Sequence, residues 1–232
     1  MPYGSRQLEE VRFFSEVITR YLLSQGAKLI VVACNTASAA ALHHLRQAFP
    51  EVPFVGMEPA VKPAAENTHS GVVGVLATPA TFQGELYTSV VERFANNVTV
   101  LQDTCPGLVA QIEMGNLETS RTRSILEDAL HPMIQEGIDT VVLGCTHYSF
   151  VIPLIQDIVG PEVRVIDPAP AVAHQVERVL EASGLLRSAL TDGTQRYLTS
   201  GDPYQLGELL RSLIGKRNPV EQLRWESGEL SR

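Results

Sequence analysis

Two segments of the chain share one pattern of apolar and polar positions. They lie at 26–36 and 137–147; each begins with Gly, runs through apolar residues rich in β-branched side chains, and turns polar at a Cys, Cys34 or Cys145. A short apolar run bounded by turn signals predicts a buried parallel strand, and the polar residues after it predict the start of a helix. Each Cys is therefore expected at the carboxyl end of a strand, where open α/β sheets bind their ligands.

The offset between the two cysteines, 145 − 34 = 111 residues, persists further along the chain. Pro-Glu-Val occurs at 50–52 and again at 161–163. A repeat of this length indicates duplicated α/β domains rather than a solenoid, whose repeats span about 20–50 residues. We expect an α/β protein with two pseudo-symmetric doubly wound domains, parallel sheets, and an active site in the cleft between them. The first domain would comprise 1–59 plus 171–232, and the second 60–170.

The second copy begins with a strand, a helix and a strand at 71–101 that have no counterpart in the first copy. The equivalent unit would begin at 71 − 111 = −40, about 40 residues before Met1. In a doubly wound sheet such a strand lies centrally and its loop faces the ligand. We therefore expect the first domain to be N-terminally incomplete because the chain is a shortened version of a longer protein. A first domain built in a different way is the alternative.

Apolar spacings of three and four residues predict helices, and short apolar runs predict strands. The predicted helices lie at 8–23, 38–49, 82–94, 108–114, 118–135, after Cys145, at 172–181 and at 204–214. The predicted strands lie at 29–33, 52–57, 71–77, 98–101, before Cys145, at 163–166 and at 196–199. The composition of 58–63 and 167–169 is typical of crossovers or hinges. The polar tail at 215–232 is expected to fray.

Charge and composition exclude several classes of protein. The net charge of −8 argues against a sequence-independent nucleic-acid binder, which needs a basic face. No apolar run approaches the roughly 20 residues that span a membrane, and no apolar segment of a signal peptide opens the chain. Three cysteines, an odd number, argue against a disulfide framework. These features favour a cytoplasmic α/β protein that binds neither nucleic acid nor membrane.

The residues themselves leave three interpretations of Cys34 and Cys145. They are buried packing residues, ligands of a zinc site with Cys105 and His147, or two acid/base thiols that face each other across a substrate. Repetition at matched strand ends favours the third, and no Cys-x-x-Cys pair supports zinc. The N-terminus of a helix favours thiolate. A thiolate on one face of a carbon and a thiol on the other would invert a stereocentre without a cofactor.

The residues around the two cysteines resemble the signature motifs of glutamate racemase, in the aspartate/glutamate racemase superfamily. These motifs are Val-Ala-Cys-Asn-Thr-Ala-Ser-Ala at 32–39 and Gly-Cys-Thr-His-Tyr at 144–148. Pro-Tyr-Gly at 2–4 resembles the family's substrate loop, and Ala-Thr-Pro-Ala-Thr at 77–81 its second-domain loop. The resemblance covers at least residues 2–203. It implies cofactor-independent interconversion of L- and D-glutamate, which supplies D-glutamate for peptidoglycan.

The resemblance also implies roles for single residues. Cys34 and Cys145 would be the catalytic acid/bases, and His147 would assist Cys145. Glu113 matches the family's acidic residue on the His147 side. An exposed loop His and an ordinary solvated Glu are the alternatives for these two. The implied contacts with the glutamate substrate are Tyr3, Gly4, Asn35, Thr36, Thr78, Thr81, Thr146 and His147. No metal or cofactor is implied, and a homodimer is one assembly that the resemblance allows.

The sequence departs from the family at its start. The family's opening strand carries Asp-Ser-Gly-Val-Gly-Gly, which is absent here, in agreement with the missing unit of the repeat. Its Asp and Ser would contact substrate and support the first Cys, so we expect this chain as written to be a weak or inactive racemase. Two alternatives stay open: a related racemase of aspartate or hydantoins, and a catalytically silent amino-acid-binding or regulatory protein.

Overall fold

A computed structural model describes residues 3–4, 6–187 and 193–232. The described α-helices are α1 (Leu8–Ser24), α2 (Asn35–Ala48), α3 (Val61–Asn67), α4 (Pro79–Phe82), α5 (Glu85–Phe94), α6 (Leu108–Glu113), α7 (Ser120–Gln135), α8 (Ile152–Val159), α9 (Ala169–Ala182) and α10 (Pro203–Ile214). A 3-10 helix, Thr146–Val151, directly precedes α8. The described strands are β1 (Ile30–Val32), β2 (Phe54–Gly56), β3 (Val72–Ala77), β4 (Thr99–Asp103), β5 (Thr140–Gly144), β6 (Arg164–Ile166), β7 (Tyr197–Thr199), β8 (Val220–Gln222), β9 (Arg224–Glu226) and β10 (Glu229–Ser231). Within these residues, no helix is both long and apolar enough to cross a membrane.

The second half of the chain forms a four-stranded parallel sheet in the order β4-β3-β5-β6. Its central strands read as continuous apolar runs because both faces are covered. On one face α6, α7 and α8 pack around Leu143, and on the other α3 and α5 pack around Val75 and Val142. This is the doubly wound α/β arrangement that the sequence predicted.

The first half is built around the parallel pair β1-β2, in which Ile30 lies opposite Phe54. Helices α1 and α2 cover one face, where Leu42 and Leu45 pack on the strands. Among the described residues β1 has no neighbour on its other edge, and Val31 at its centre is 39% exposed. The two halves are therefore both α/β with parallel strands, but the described part of the first sheet has two strands where the second has four.

The structure reproduces the 111-residue repeat element by element. Shifting α2 by 111 gives 146–159, the combined extent of the 3-10 helix and α8. The helix that follows each copy of the repeat packs against the sheet of the other half. Helix α3, after the first copy, lies against β3 and β5, and α9, after the second copy, lies against β2. We propose on this ground the division into 1–59 plus 171–232 and 60–170.

Three local predictions were wrong. Helix α3 begins within the stretch expected to be a crossover or hinge, because Val61 and Ala64 are fully buried against the second sheet. The helix predicted at 82–94 is interrupted at Gly84, which approaches α2 so closely that a Cβ there would lie 2.7 Å from Ala39 Cβ. The tail does not fray: β8 pairs with β7, and β9-β10 form a hairpin whose Trp225 ring lies 5.3 Å from Phe14 on α1.

Candidate active site

A cavity of about 450 Å³ lies between the two halves, at the carboxyl ends of β1, β3 and β5. Cys34 lines it from the first half and Cys145 from the second. The predicted site residues that line the cavity are Tyr3, Gly4, Cys34, Asn35, Thr36, Thr78, Cys145, Thr146 and His147. The other two lie behind its wall, Thr81 in contact with Thr78 and Glu113 in contact with His147. The structure therefore brings all of the predicted site residues to one place.

Cys34 is the N-terminal cap of α2. Its backbone is extended, and its Sγ accepts a hydrogen bond from the Ala37 N–H at 3.5 Å. Burial raises the pKa of the Cys34 thiol, and the N–H groups of Ala37 and Thr36 offset part of that rise. Within the described residues, no titratable side chain hydrogen-bonds to this thiol.

Cys145 holds the matching position before the 3-10 helix, but it has a titratable neighbour. Its Sγ lies 3.8 Å from His147 Nδ1, and His147 Nε2 lies 3.1 Å from Glu113 Oε1 on α6. Burial raises the pKa of Cys145 to about 12; the His147 N–H opposes the rise, while negative charge on Cys34 and Glu113 adds to it. The second thiol is therefore the end of a Cys-His-Glu row, unlike the first.

The helix N-termini act on both thiols in the expected direction, but burial outweighs them. The N–H groups at both helix starts do lower the thiol pKa, as helix starts should. Desolvation is nevertheless the largest influence at Cys34 and at Cys145, and it disfavours the charged form. A thiolate in this cavity therefore depends on a further partner for its charge, such as His147 in its protonated form.

Asn35 is the most unusual polar residue of the site. The residue is 2% exposed, and neither its Oδ1 nor its Nδ2 has a hydrogen-bond partner among the residues that the structure describes. A buried amide group left unpaired costs about 1–3 kcal/mol. Asn35 also lines the cavity, so the unpaired amide is available for a bound ligand.

Three threonine hydroxyls connect the two halves beside Asn35. Thr36 Oγ1 lies 2.8 Å from Thr78 Oγ1 and 3.3 Å from Thr81 Oγ1, and the last two are 3.1 Å apart. All three residues are buried. Because each hydroxyl both donates and accepts, the triangle fixes the start of α2 against the loop after β3.

Tyr3 and Gly4 form a wall of the cavity, while Pro2 of the same motif lies outside the described residues. The Tyr3 ring stacks on Phe14 with centroids 6.4 Å apart, and burial raises its pKa, with the nearby Cys34 adding to the rise. Gly4 approaches Thr78 so closely that a Cβ would lie 2.8 Å from Thr78 Cβ. Only glycine fits at this junction between the N-terminal segment and the second half.

Sequence reasoning missed the wall that follows β4. The cavity is also lined there by Thr104, Cys105, Pro106, Gly107, Val109 and Ala110. Cys105 has φ 44°, and its N–H donates to Asp103 Oδ1 at 2.7 Å. The Tyr148 hydroxyl donates to the Thr104 carbonyl oxygen at 3.3 Å and so ties this wall to the Cys145 motif. The available signal in the sequence was the Cys-Pro pair that follows the strand predicted at 98–101.

The zinc interpretation of Cys105 finds no ligand set. Across 3–4, 6–187 and 193–232, no three His, Cys, Asp or Glu side chains are grouped so that they could hold a metal ion. Burial raises the pKa of the Cys105 thiol, and the Asp103 carboxylate raises it further. Cys105 is therefore a neutral wall residue of the cavity.

Comparison with known proteins identifies the class to which this fold and site belong. A family model described as Asp/Glu/Hydantoin racemase matches residues 2–176. The chain therefore belongs to this racemase family.

Within the family, glutamate racemases are among the proteins to which the chain is similar. The glutamate racemase of Roseiflexus sp. (strain RS-1) is 48% identical over 222 residues, which are 95% of this chain and 82% of that protein. That of Pseudomonas aeruginosa is 47% identical over 223 residues, 96% of this chain and 84% of that protein. The chain is accordingly an isomerase of the glutamate racemase kind.

Solved structures of the same kind share the fold. A Bacillus anthracis glutamate racemase superposes with a TM-score of 0.85 at 29% identity, over 98% of this chain and 85% of that one. The Escherichia coli glutamate racemase, in complex with L-glutamate and the activator UDP-MurNAc-ala, gives a TM-score of 0.82 at 28% identity, over 97% and 85% of the two chains.

Proposed function

We propose that this chain interconverts L- and D-glutamate without a cofactor, with Cys34 and Cys145 as paired acid/base thiols. One observation carries the proposal: two cysteines related by the repeat, each directly before a helix, line the same cavity of about 450 Å³. A thiolate removes the α-proton from one face of the substrate, and the opposite thiol returns a proton to the other face. The relatives named glutamate racemase point to glutamate as the substrate.

The raised pKa of the two thiols makes it costly to form a thiolate in this site. With the pKa of Cys145 at about 12, ionising this thiol alone at pH 7 costs about 7 kcal/mol. A protonated His147, 3.8 Å from the sulfur, lowers that cost by placing a positive charge beside the thiolate. The substrate ammonium group would act in the same sense on either thiol when it binds between them.

The polar groups of the cavity suit the backbone of an amino acid. No Lys or Arg belongs to the described lining, so carboxylates would be bound by N–H, amide and hydroxyl groups, as at other helix N-termini. We assign the α-carboxylate and amino group to Asn35, Thr36 and Thr146, and the side-chain carboxylate to the Tyr3–Gly4 backbone. The unpaired amide of Asn35 supports this assignment. Thr78 and Thr81 would hold Thr36 in place and approach the substrate less directly.

The wider role is also a proposal. A supply of D-glutamate for peptidoglycan would follow from the reaction, and the enzyme would act in the cytoplasm, as the sequence predicts. A homodimer stays a prediction, since a single chain gives no contact that bears on it.

One observation favours a second function, amino-acid binding without catalysis. The outer edge of β1 is unpaired within the described residues, and Cys34 has no titratable hydrogen-bond partner there, whereas Cys145 has His147. With Cys34 lacking such a partner, the first half would bind glutamate through Asn35 and Thr36 and still fail to move the α-proton.

The experiment is α-proton exchange of L- and D-glutamate in heavy water, followed by NMR, on this 232-residue chain. We expect slow exchange with inversion. Cys34→Ala and Cys145→Ala should each abolish inversion; any remaining exchange should be confined to one enantiomer, and to opposite enantiomers in the two variants. Aspartate, run in parallel, should exchange far more slowly.

Three outcomes would contradict the proposal. Inversion that survives in either variant excludes the two-thiol mechanism. A folded chain that binds glutamate without exchange favours the second function. Preferred exchange of aspartate would reassign the substrate. The equal free energies of L- and D-glutamate require equal kcat/KM in the two directions, which checks each data set internally.

A further inference from the structure

The hydroxyl of Ser38 joins the end of the first sheet to the first turns of α2. Ser38 is 2% exposed. Its Oγ donates a hydrogen bond to the Val32 carbonyl oxygen at 3.0 Å and accepts one from the Met57 N–H at 2.9 Å. Val32 is the last residue of β1, and Met57 directly follows β2. One buried hydroxyl therefore connects the carboxyl ends of both strands to the helix that begins beside the cavity.

The same residue holds the turn that carries the first thiol. The Ser38 N–H donates to the Cys34 carbonyl oxygen at 2.8 Å, while the Ser38 hydroxyl holds the carbonyl group of Val32, two residues before the thiol. Helix α2 has to lie close to β2 for these contacts, and a Cβ on Gly56 would lie 3.1 Å from Ser38 Oγ and 2.5 Å from Leu42 Cδ2. Ser38 therefore fixes the backbone at both ends of the short segment from which the Cys34 side chain enters the cavity.

The second copy of the repeat cannot form this bridge. Shifting Ser38 by 111 residues gives Ser149, and shifting Met57 by the same number gives Pro168. Proline has no N–H to donate, so a hydroxyl at 149 has no matching donor at the end of β6. The two thiols occupy matched positions of the repeat, but only the turn before Cys34 is held by a hydroxyl bridge of this kind.

We propose that Ser38 is a positioning residue whose buried hydroxyl holds the Cys34 thiol at the place from which it exchanges the α-proton; this inference rests on the proposed two-thiol function. Ser38 does not line the cavity. It acts through the backbone of Val32 and Cys34, which it holds by its hydroxyl and its N–H. A displacement of about 1 Å at a reacting group lowers the rate roughly 100-fold, so part of that displacement at Cys34 is measurable.

The first test is Ser38→Ala, which removes the hydroxyl and keeps a residue that favours a helix. Release of the turn slows the proton transfers made by Cys34. With L- and D-glutamate in heavy water, kcat for inversion should fall about 10-fold in both directions while KM changes little. Exchange of the enantiomer that Cys34 deprotonates should fall as much, whereas exchange of the enantiomer that Cys145 deprotonates should fall less than about 3-fold. The Cys34→Ala and Cys145→Ala variants show which enantiomer is which.

Ser149→Ala is the matched control, because it removes a hydroxyl at the same position of the repeat, where the bridge cannot form. It should leave inversion and both exchange rates unchanged. Urea unfolding of the two variants shows that the rates are compared between folded proteins. Equal losses of exchange from both enantiomers would indicate general damage to the fold and would overturn the proposal. A loss in Ser149→Ala as large as the loss in Ser38→Ala would overturn it as well.

The second test needs no turnover. Cysteine labelled with ¹³C at Cβ gives one NMR signal for each of the three cysteines, and single substitutions assign these signals. In Ser38→Ala the Cys34 signal should move and its titration should shift to higher pH, because the N–H groups at the start of α2 that lower the pKa of Cys34 lose their alignment with the sulfur. The signals of Cys145 and Cys105 should stay in place.

An unchanged Cys34 signal, or equal movement of the Cys34 and Cys145 signals, would refute the inference. If the unmodified chain shows no α-proton exchange, the proposed function fails, and the NMR result still decides whether Ser38 positions Cys34. The two failures are therefore distinguishable.

Discussion

Replacement of Gly144 by alanine should move Cys145, the thiol that follows it. Gly144 ends β5 opposite Ala77 of β3 in the parallel ladder. A Cβ on residue 144 would lie 2.6 Å from Ala77 Cβ, 3.1 Å from the Leu76 carbonyl oxygen and 3.3 Å from Pro59 Cγ. None of these atoms is the end of a flexible side chain, so the backbone of β3 or β5 has to shift.

The magnitude follows from these contacts. Relief of a 2.6 Å approach to ordinary van der Waals distance requires a movement of about 1 Å, and an extra methyl forced into a packed core costs about 1–3 kcal/mol. A movement of about 1 Å at a reacting group lowers the rate roughly 100-fold. We therefore expect Gly144→Ala to lose 1–3 kcal/mol of unfolding free energy and about two orders of magnitude of α-proton exchange.

The chain offers a matched control in the adjacent strand. A Cβ on Gly74 of β3 would also approach another atom closely, at 2.7 Å, but that atom is Met133 Sδ, which can rotate away. Gly74→Ala should cost less than about 1 kcal/mol, because alanine also restricts the unfolded chain. Urea unfolding gives the free energies, and exchange of the glutamate α-proton in heavy water gives the activity.

A Gly144→Ala variant as stable as the unmodified chain would contradict the prediction, since the close approach would then have been relieved at no cost. An equal loss of stability in Gly74→Ala and Gly144→Ala would contradict it as well. A stable Gly144→Ala that has lost exchange would show that Cys145 moves more easily than the strands do, which would contradict the predicted rigidity of the β3-β5 pair.

Two further predictions concern parts of the fold distant from the cavity. Burial tends to raise the pKa of Asp139, but hydrogen bonds from Ser70, His69, Thr68 and Thr140 outweigh it and lower the pKa to about 2. The stabilisation is thus nearly complete above about pH 4 and is mostly lost as the pH falls to 2. After allowance for solvent screening, Asp139→Asn should cost about 1 kcal/mol at pH 7 and much less at pH 2 in urea unfolding. An equal cost at both pH values would exclude the charge as the cause. Separately, Trp225→Leu should lower the unfolding free energy by about 1–2 kcal/mol because Trp225 packs on α1 through aromatic rings; an unchanged urea midpoint would show that the hairpin does not hold α1.

Much of the architecture was predictable from pattern alone. The apolar runs before Cys34 and Cys145 predicted parallel strands, because strands covered on both faces are apolar throughout. The 111-residue offset related the two copies, and the structure shows the same offset between α2 and the 3-10 helix with α8. Helix α1 begins at the predicted residue, since its apolar residues recur at helical spacing over four turns.

Predictions that depended on contacts between distant segments were the ones that failed. Helix α3 forms because the second sheet buries Val61 and Ala64. The proline-containing stretch itself holds no local signal that predicts this contact. The terminal hairpin is ordered because Trp225 meets the aromatic rings of α1. A polar tail has no sign of such a partner in its own sequence.

The sequence by itself determined the repeat, the class of fold and the two thiols at matched strand ends, because strand periodicity and motif spacing are local properties of a chain. Tertiary structure alone decided the surroundings of those thiols. It placed Cys105 and its neighbours in the cavity wall, left the amide of Asn35 unpaired, and set Glu113 behind His147. It also raised the pKa of both thiols although the helix starts lower it, because desolvation depends on every atom packed around a group, whereas the helix start involves only the next few residues.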